Sequence, residues 1–271
     1  MVDADCVVHP GTIDRLARTA AATARPVQAT YLMQQPDNPR PQDAVSILAF
    51  MVKNLVRPKG LDRLGLPCLL TGTGMAFPWS ALQSVCLASG NIVEDMQLGL
   101  DLAMAGHAPI FCADALVTGL LPQSTSAAIS QRTRWEHGHL QTLLTQVPRL
   151  LGASVRQKRY ELLAIALDLC VPPLSLLVML WAGAMGGAVL AGVLGVSWMP
   201  TVLLAMQGLL LTISIVGAWA KFARANLPVR TLLTVPLYIL WKIPLYFAFL
   251  VRPTKKWIRT ERDAVAPPKT Y

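Results

Sequence analysis

The sequence predicts an α/β domain over residues 1–160, transmembrane α-helices over 161–251 and a basic tail over 252–271. Three observations predict this. Strand-like and helix-like segments alternate along the first part, the pattern of an α/β domain. Between Leu162 and Ala220 the only charged residue is Asp168. The formal charge of +9 is uneven: residues 1–161 carry 14 Lys/Arg against 12 Asp/Glu, and residues 221–271 carry 10 against 2. Hydrophobic residues make up 54% of the chain and charged ones 14%, too apolar for an ordinary soluble domain.

The elements follow in order. Met1 to Val8 reads as the end of a buried strand running into a loop. Residues 11–24 form a helix with Thr12 as N-cap, and Val27 to Met33 form a strand. Pro36, Pro39 and Pro41 mark a loop before a helix from Asp43 to Val56. Cys68 to Phe77 reads as a strand broken by Gly72 and Gly74. Glu94 to Ala105 forms a helix that Gly106 ends. Pro109 to Cys112 and Ala115 to Val117 are short strands, and Ser126 to Gln146 is a long helix.

A span needs about 20 apolar residues. Leu162 to roughly Val196 suits one tilted span with a break at Pro172-Pro173, or a tight hairpin. Residues 200–220 make a second span, and 231–251 a third, interrupted by Lys242 and two prolines. Arg149, Arg156, Lys158 and Arg159 place the entry in the cytosol, and Arg252, Lys255, Lys256, Arg259 and Arg262 place the tail there too. Three spans would separate the two. Either residues 162–220 hold three short spans, or residues 231–251 lie in the interface or re-enter. Beside apolar spans, anionic headgroups explain the basic tail better than nucleic acid does, so no nucleic-acid partner is expected. Five cysteines without a CxxC pair suggest reduced thiols rather than zinc or disulfides.

Four short motifs carry chemistry. Asp3 and Asp5, two apart in a turn, can share a divalent cation that neutralises a diphosphate, although this spacing is common in loops. Thr71-Gly72-Thr73-Gly74 mimics part of a dinucleotide fingerprint, but Phe77 stands where a third glycine belongs. A glycine loop that lets a sugar approach the backbone suits it better. Glu94-Asp95 opens a helix, where negative charge is favourable. The pair can equally supply a general base for an acceptor hydroxyl. Gln131-Arg132-Thr133-Arg134-Trp135 places two guanidinium groups and an indole within one and a half turns. Arginine holds diphosphates through bidentate bonds and tryptophan stacks on sugar rings; a basic helix on lipid headgroups is the other reading. His137 and His139 point to different faces of that helix, which speaks against a metal site. Asp168, within a span, is a functional candidate or a snorkelling residue.

In order and spacing these motifs resemble those of processive family 2 glycosyltransferases, the cellulose, hyaluronan and chitin synthases. The resemblance covers roughly residues 1–160, with spans following in the expected place. It implies the C-terminal part of a GT-A domain and an inverting transfer from a nucleotide-sugar donor to a growing exopolysaccharide. It also implies Mg²⁺ or Mn²⁺ on Asp3 and Asp5, Asp95 as base with Glu94 beside it, and donor and acceptor binding by Gln131, Arg132, Arg134, Trp135 and the Gly72-Thr73-Gly74 loop, with Arg132 filling a variable position of that motif. The enzyme is expected in the inner (plasma) membrane as a multi-pass protein, its catalytic domain cytosolic. Its expected partners are the donor, the glycan acceptor, the bilayer and other polysaccharide-export subunits. Trp257-Ile258-Arg259-Thr260 resembles a W-G-T-R element with Ile258 in place of the glycine. In the family a nucleotide-binding half precedes the Asp-x-Asp motif, whereas here two residues do. A truncated chain that binds nucleotide sugar poorly is therefore expected. Alternatives are an incomplete membrane or assembly fragment, a non-processive transferase acting on a lipid carrier, and a small transporter using Asp168 and Lys242.

Overall fold

The computed structural model describes residues 1–36, 39–87, 93–122, 124–225 and 227–251. The basic tail, Trp257 to Thr260, and Asn91 and Ile92 just before the Glu94-Asp95 pair lie outside them. A four-stranded sheet has the order β1-β4-β2-β3, with β1 Cys6–Val8, β2 Val27–Gln34, β3 Met75–Ala76 and β4 Ile110–Leu120. The central pair, β2 and β4, is parallel, and both edge strands run antiparallel to their neighbours. Its register shifts between Ala29, opposite Cys112, and Thr30, opposite Leu116. Residues 113–115 bulge out there, so the two short strands expected over 109–117 are the two halves of one bulged strand.

Several expected boundaries move for physical reasons. The aspartates of the opening do not end a strand; they precede β1. Met1 lies beside Met75 instead, the two exchanging backbone hydrogen bonds. Helix α1 (Thr12–Thr23) begins after Gly11, and Thr12 is not its cap. The buried Thr12 hydroxyl donates to the Leu116 carbonyl at 3.0 Å and accepts from the Leu116 amide at 3.1 Å, tying α1 to β4. From Cys68 to Phe77 only Met75–Ala76 forms a ladder, because Gly72 and Gly74 both adopt positive φ.

The helix expected over 43–56 is longer. It runs as α2 (Pro41–Met51), a π-helical turn over Val52–Val56, and α3 (Arg57–Arg63). Its start is fixed by Asp43, whose carboxylate accepts from the Arg40 backbone amide at 3.0 Å. After the short α4 (Trp79–Leu82) comes α5 (Glu94–Met104). Helix α6 (Thr125–Gln157) continues through Pro148 because Leu150 and Ala153 beyond it are buried against α5 and α7 (Tyr160–Cys170).

That packing also moves the first long apolar helix. Leu162, Ile165, Ala166 and Leu169 of α7 are buried with Met96 and Leu100 of α5, so residues 162–170 belong to a core. The chain breaks at Val171-Pro172-Pro173, and the apolar helix proper is α8 (Leu174–Val193). Asp168 therefore sits on α7, outside the long apolar helices, where it pairs with Arg57. Helix α9 (Met199–Ala218) extends through a π-helical turn to Ala223. Among the described residues, α8 and the stretch Met199–Ala223 are the two helices long and apolar enough to cross a membrane. After α10 (Arg230–Leu233), helix α11 (Val235–Val251) is shorter and lies along the domain. Its Tyr238 hydroxyl bonds Ser46 of α2 at 3.0 Å, and its Tyr246 hydroxyl bonds Ser175 of α8 at 2.6 Å.

Candidate active site

A cavity of about 360 Å³ opens where the C-terminal side of the sheet, α2, α5, α6 and the starts of α8 and α11 converge. Each of the four motifs contributes to its wall: Asp3, Gly72, Glu94 with Asp95, and Arg132, Arg134 and Trp135. Asp5, Thr73, Gly74 and Gln131 stand off the lining.

The aspartates come first. Asp3, Asp5 and Cys6 each place one ligand atom within 4.8 Å of the others, and both carboxylates are exposed. Burial pushes the Cys6 thiol upward, which keeps it protonated and leaves two hard oxygen donors. That donor set fits a hard divalent cation such as Mg²⁺ or Mn²⁺. Thr73 positions the turn, its hydroxyl accepting from the Asp3 amide at 3.1 Å.

The glycine loop serves packing and proximity. A Cβ on Gly74 would fall 2.9 Å from both Ala29 and Val117, so this glycine lets the loop lie on the sheet. A Cβ on Gly72 would fall 3.2 Å from the Asp95 carboxylate. Gly72 thus lets the Asp95 side chain lie against the backbone of residues 71–74, joining two motifs about 20 residues apart.

Asp95 opens α5, and its surroundings pull in two directions. Burial raises its pKa above the usual aspartate value. Backbone N–H bonds at the helix start and the positive charge of Lys53 oppose this in part. Lys53 feels the reciprocal effects: burial lowers its pKa, and Asp95 restores some of it. The favourable charge–helix contact and the cavity-facing carboxylate are therefore one arrangement.

The arginine motif divides its labour. Arg132 is 6% exposed and bonds the buried Asp43 carboxylate at 3.2 Å, with the Trp241 ring 5.8 Å away. It joins α6 to α2 and α11. Burial alone would raise the Asp43 carboxyl, but bonds and charge from Arg40 and the charge of Arg132 hold it below the usual range. Arg134 reaches the cavity wall, as does Trp135, whose ring lies 5.8 Å from Phe50. His137 leaves on another face, its Nε2 bonding the Leu245 carbonyl at 3.1 Å, while His139 faces the cavity. The two imidazoles diverge, as their i, i+2 spacing requires.

The sequence reading did not place a second set of residues on this wall: Lys53, Asn54 and Arg57 from the π-turn and α3, Glu136 and His139 from α6, and Lys242 from α11. Arg57 donates to the Asp168 carbonyl at 2.6 Å and to its carboxylate, and Lys242 pairs with Glu136. Helical spacing was the available signal. Ser46, Phe50, Lys53 and Arg57 repeat at one-turn intervals, as do Arg132, Trp135 and His139.

No curated protein matches the chain. Residues 1–138, half of the chain, match the model for glycosyltransferase like family 2. That domain holds the Asp-x-Asp, glycine-loop, Glu-Asp and arginine elements, and it implies a nucleotide-sugar donor and a glycan acceptor. The chain belongs to the glycosyltransferase-like family 2.

Proposed function

We propose that this protein is a membrane-bound, inverting, processive glycosyltransferase that extends an exopolysaccharide from a nucleotide-sugar donor. The observation that carries the reading is the convergence of Asp3, Gly72, Asp95, Arg134 and Trp135, from four separate segments, on one cavity. In the reaction, the acceptor hydroxyl oxygen bonds the sugar C1 as its proton passes to the Asp95 carboxylate. The bond from C1 to the diphosphate oxygen breaks with inversion, and the nucleoside diphosphate leaves. The raised basicity of Asp95 suits proton abstraction. Arg134 holds the diphosphate, and Trp135 offers an apolar face to the acceptor sugar. Mg²⁺ or Mn²⁺ held by Asp3 and Asp5 would neutralise charge on the departing diphosphate.

Membrane attachment rests on α8 and α9. Their most apolar windows are only 11% buried, so they are not core helices, and their outward faces are continuous apolar surface. Two crossings return the chain to its starting side, which agrees with the basic residues Arg149, Arg156, Lys158 and Arg159 before the first. The plasma membrane, with the domain on the cytosolic side, suits this charge distribution, and export subunits are the expected partners of a secreted glycan.

The test uses membranes of cells that overproduce the protein, supplied with Mg²⁺ or Mn²⁺ and a panel of radiolabelled nucleotide sugars. Wild type is expected to build labelled polymer from one of them, chelation to stop it, and Asp95→Asn to reduce it by at least about a thousandfold. Retained turnover in Asp95→Asn removes the base, and no incorporation from any donor removes the activity.

A further inference from the structure

Four side chains on the cavity wall hold buried polar atoms without a hydrogen-bond partner: Asn54 Oδ1, Thr71 Oγ1, Glu136 Oε2 and His139 Nε2. Buried polar atoms in folded proteins are almost always paired, and an unpaired one costs about 1–3 kcal/mol. Four in one cavity mark a place built for something that bonds them. Asn54 and His139 are each only 3% exposed, so bulk water does not serve them.

Their chemistry narrows the partner. Burial lowers the His139 pKa to about 3, so its ring is neutral near pH 7. Backbone groups at Leu169 and Val171 bond the ring as well. A neutral ring with one N–H turned to backbone carbonyls presents Nε2 as a lone-pair acceptor. Asn54 Oδ1 is an acceptor, and so is Glu136 Oε2, whose sister oxygen is held by Lys242. Three acceptors and one hydroxyl call for a ligand rich in O–H donors. An anion would meet lone pairs at three of these four atoms.

We infer that Asn54, Thr71, Glu136 and His139 form a hydroxyl-reading subsite that binds a neutral sugar ring of the acceptor glycan and selects it by its hydroxyl pattern. The inference deepens the acceptor role proposed above and rests on it. His139 lies four residues on from Trp135, on the same face of α6, and Glu136 lines the same cavity beside them. A ring stacked on the indole therefore turns its edge toward them. Specificity follows from the cost of failure: a sugar lacking the matching hydroxyl leaves these atoms unpaired, and such sites reject deoxy analogues strongly.

The experiment measures binding, so it does not depend on turnover. The full chain, purified in detergent micelles, is titrated calorimetrically with three hexasaccharides: a β-linked glucan, a β-linked N-acetylglucosamine polymer and a hyaluronan fragment. Asn54→Ala and His139→Leu are titrated in parallel, with thermal melting as the control for folding. One glycan is expected to bind, each variant to weaken it roughly five- to tenfold at an unchanged melting temperature, and His139→Gln, which keeps an acceptor, to recover part of the loss. Equal binding by wild type and both variants, or no binding of any glycan by wild type, overturns the subsite. A variant that melts early is replaced by Glu136→Gln, read in the same way. The two proposals fail separately. Loss of glycan binding in the variants with no transfer in membranes removes the enzyme reading and keeps the subsite, whereas transfer with unaltered glycan binding does the reverse.

Discussion

At Asp95 burial and charge compete, and the balance sets a measurable pH limit. As the proposed base, Asp95 would work only when ionised. Because burial lifts its pKa above the ordinary aspartate value of about 3.9, the acid limb of the rate profile should lie above that value, with activity lost as pH falls through it. Lys53 opposes the rise, so Lys53→Met removes a nearby positive charge and should move the limb to still higher pH. A pH profile of kcat/KM for both proteins checks this; an unmoved or lowered limb in Lys53→Met would show that the pair does not interact. Gly72 makes a second prediction at this scale. Its φ of 91° disfavours any side chain, and a Cβ there meets the Asp95 carboxylate. Gly72→Ala should cut kcat roughly ten- to a hundredfold by shifting the base, with donor KM changed less than about threefold. Both residues were legible in the sequence because each belongs to a short motif. Lys53, Asn54 and Arg57 were not. They look like polar punctuation in an apolar helix until the fold sets that face opposite α6.

Between elements, the Asp43 carboxylate is the joint. It accepts from Arg40 at the start of α2 and from Arg132 of α6, and its side chain is fully buried. Removing one partner of a buried charged pair leaves the other uncompensated, at a cost of about 3–5 kcal/mol. Asp43→Ala should therefore lower the melting temperature on the order of 10 °C. Asp43→Leu combined with Arg132→Met should recover most of that, since neither charge then remains buried alone. Equal melting of the single and double variants would show that Arg132 is solvated without Asp43. Arg132 thus belongs to the framework more than to catalysis, although its motif neighbours line the cavity. The sequence could not separate the two, because membership of a motif does not reveal which residue turns inward to an acid 89 positions away. The same limit explains the apolar stretch after Leu162. Composition alone joined α7 to α8, whereas the burial of Leu162, Ile165 and Leu169 against α5 assigns α7 to a core. The alternation of strands and helices was legible from periodicity, but the bulge that makes β4 one strand is a property of its pairing with β2.

For the molecule as a whole, the two ends of the α8–α9 hairpin decide which way it points. Helix α8 starts at the cavity, where Pro173, Leu174 and Ser175 form part of the wall. The far end of α9 returns to the same domain: Ala223 and Phe222 pack with Leu48 and Met51 of α2. Between these anchors each helix has 20 residues. At 1.5 Å per residue that is about 30 Å, the thickness of a hydrocarbon core. The turn at residues 194–198 therefore lies about 30 Å along the helices from the domain, and exposed Leu190, Leu203, Leu209 and Ile213 face outward along the way. Helix α11 does not repeat this pattern, since Tyr238, Lys242 and Tyr246 are buried against the domain and α8. On the proposed membrane reading, two crossings rather than three would resolve the conflict between the basic residues on either side of the apolar region. The protein should stay with the membrane pellet after alkaline carbonate extraction. A reporter inserted at Gly195 should read as outside the cytosol, and one fused after Val251 as cytosolic. A cytosolic reading at Gly195 would mean that the hairpin does not cross, leaving its apolar faces to be covered by protein instead.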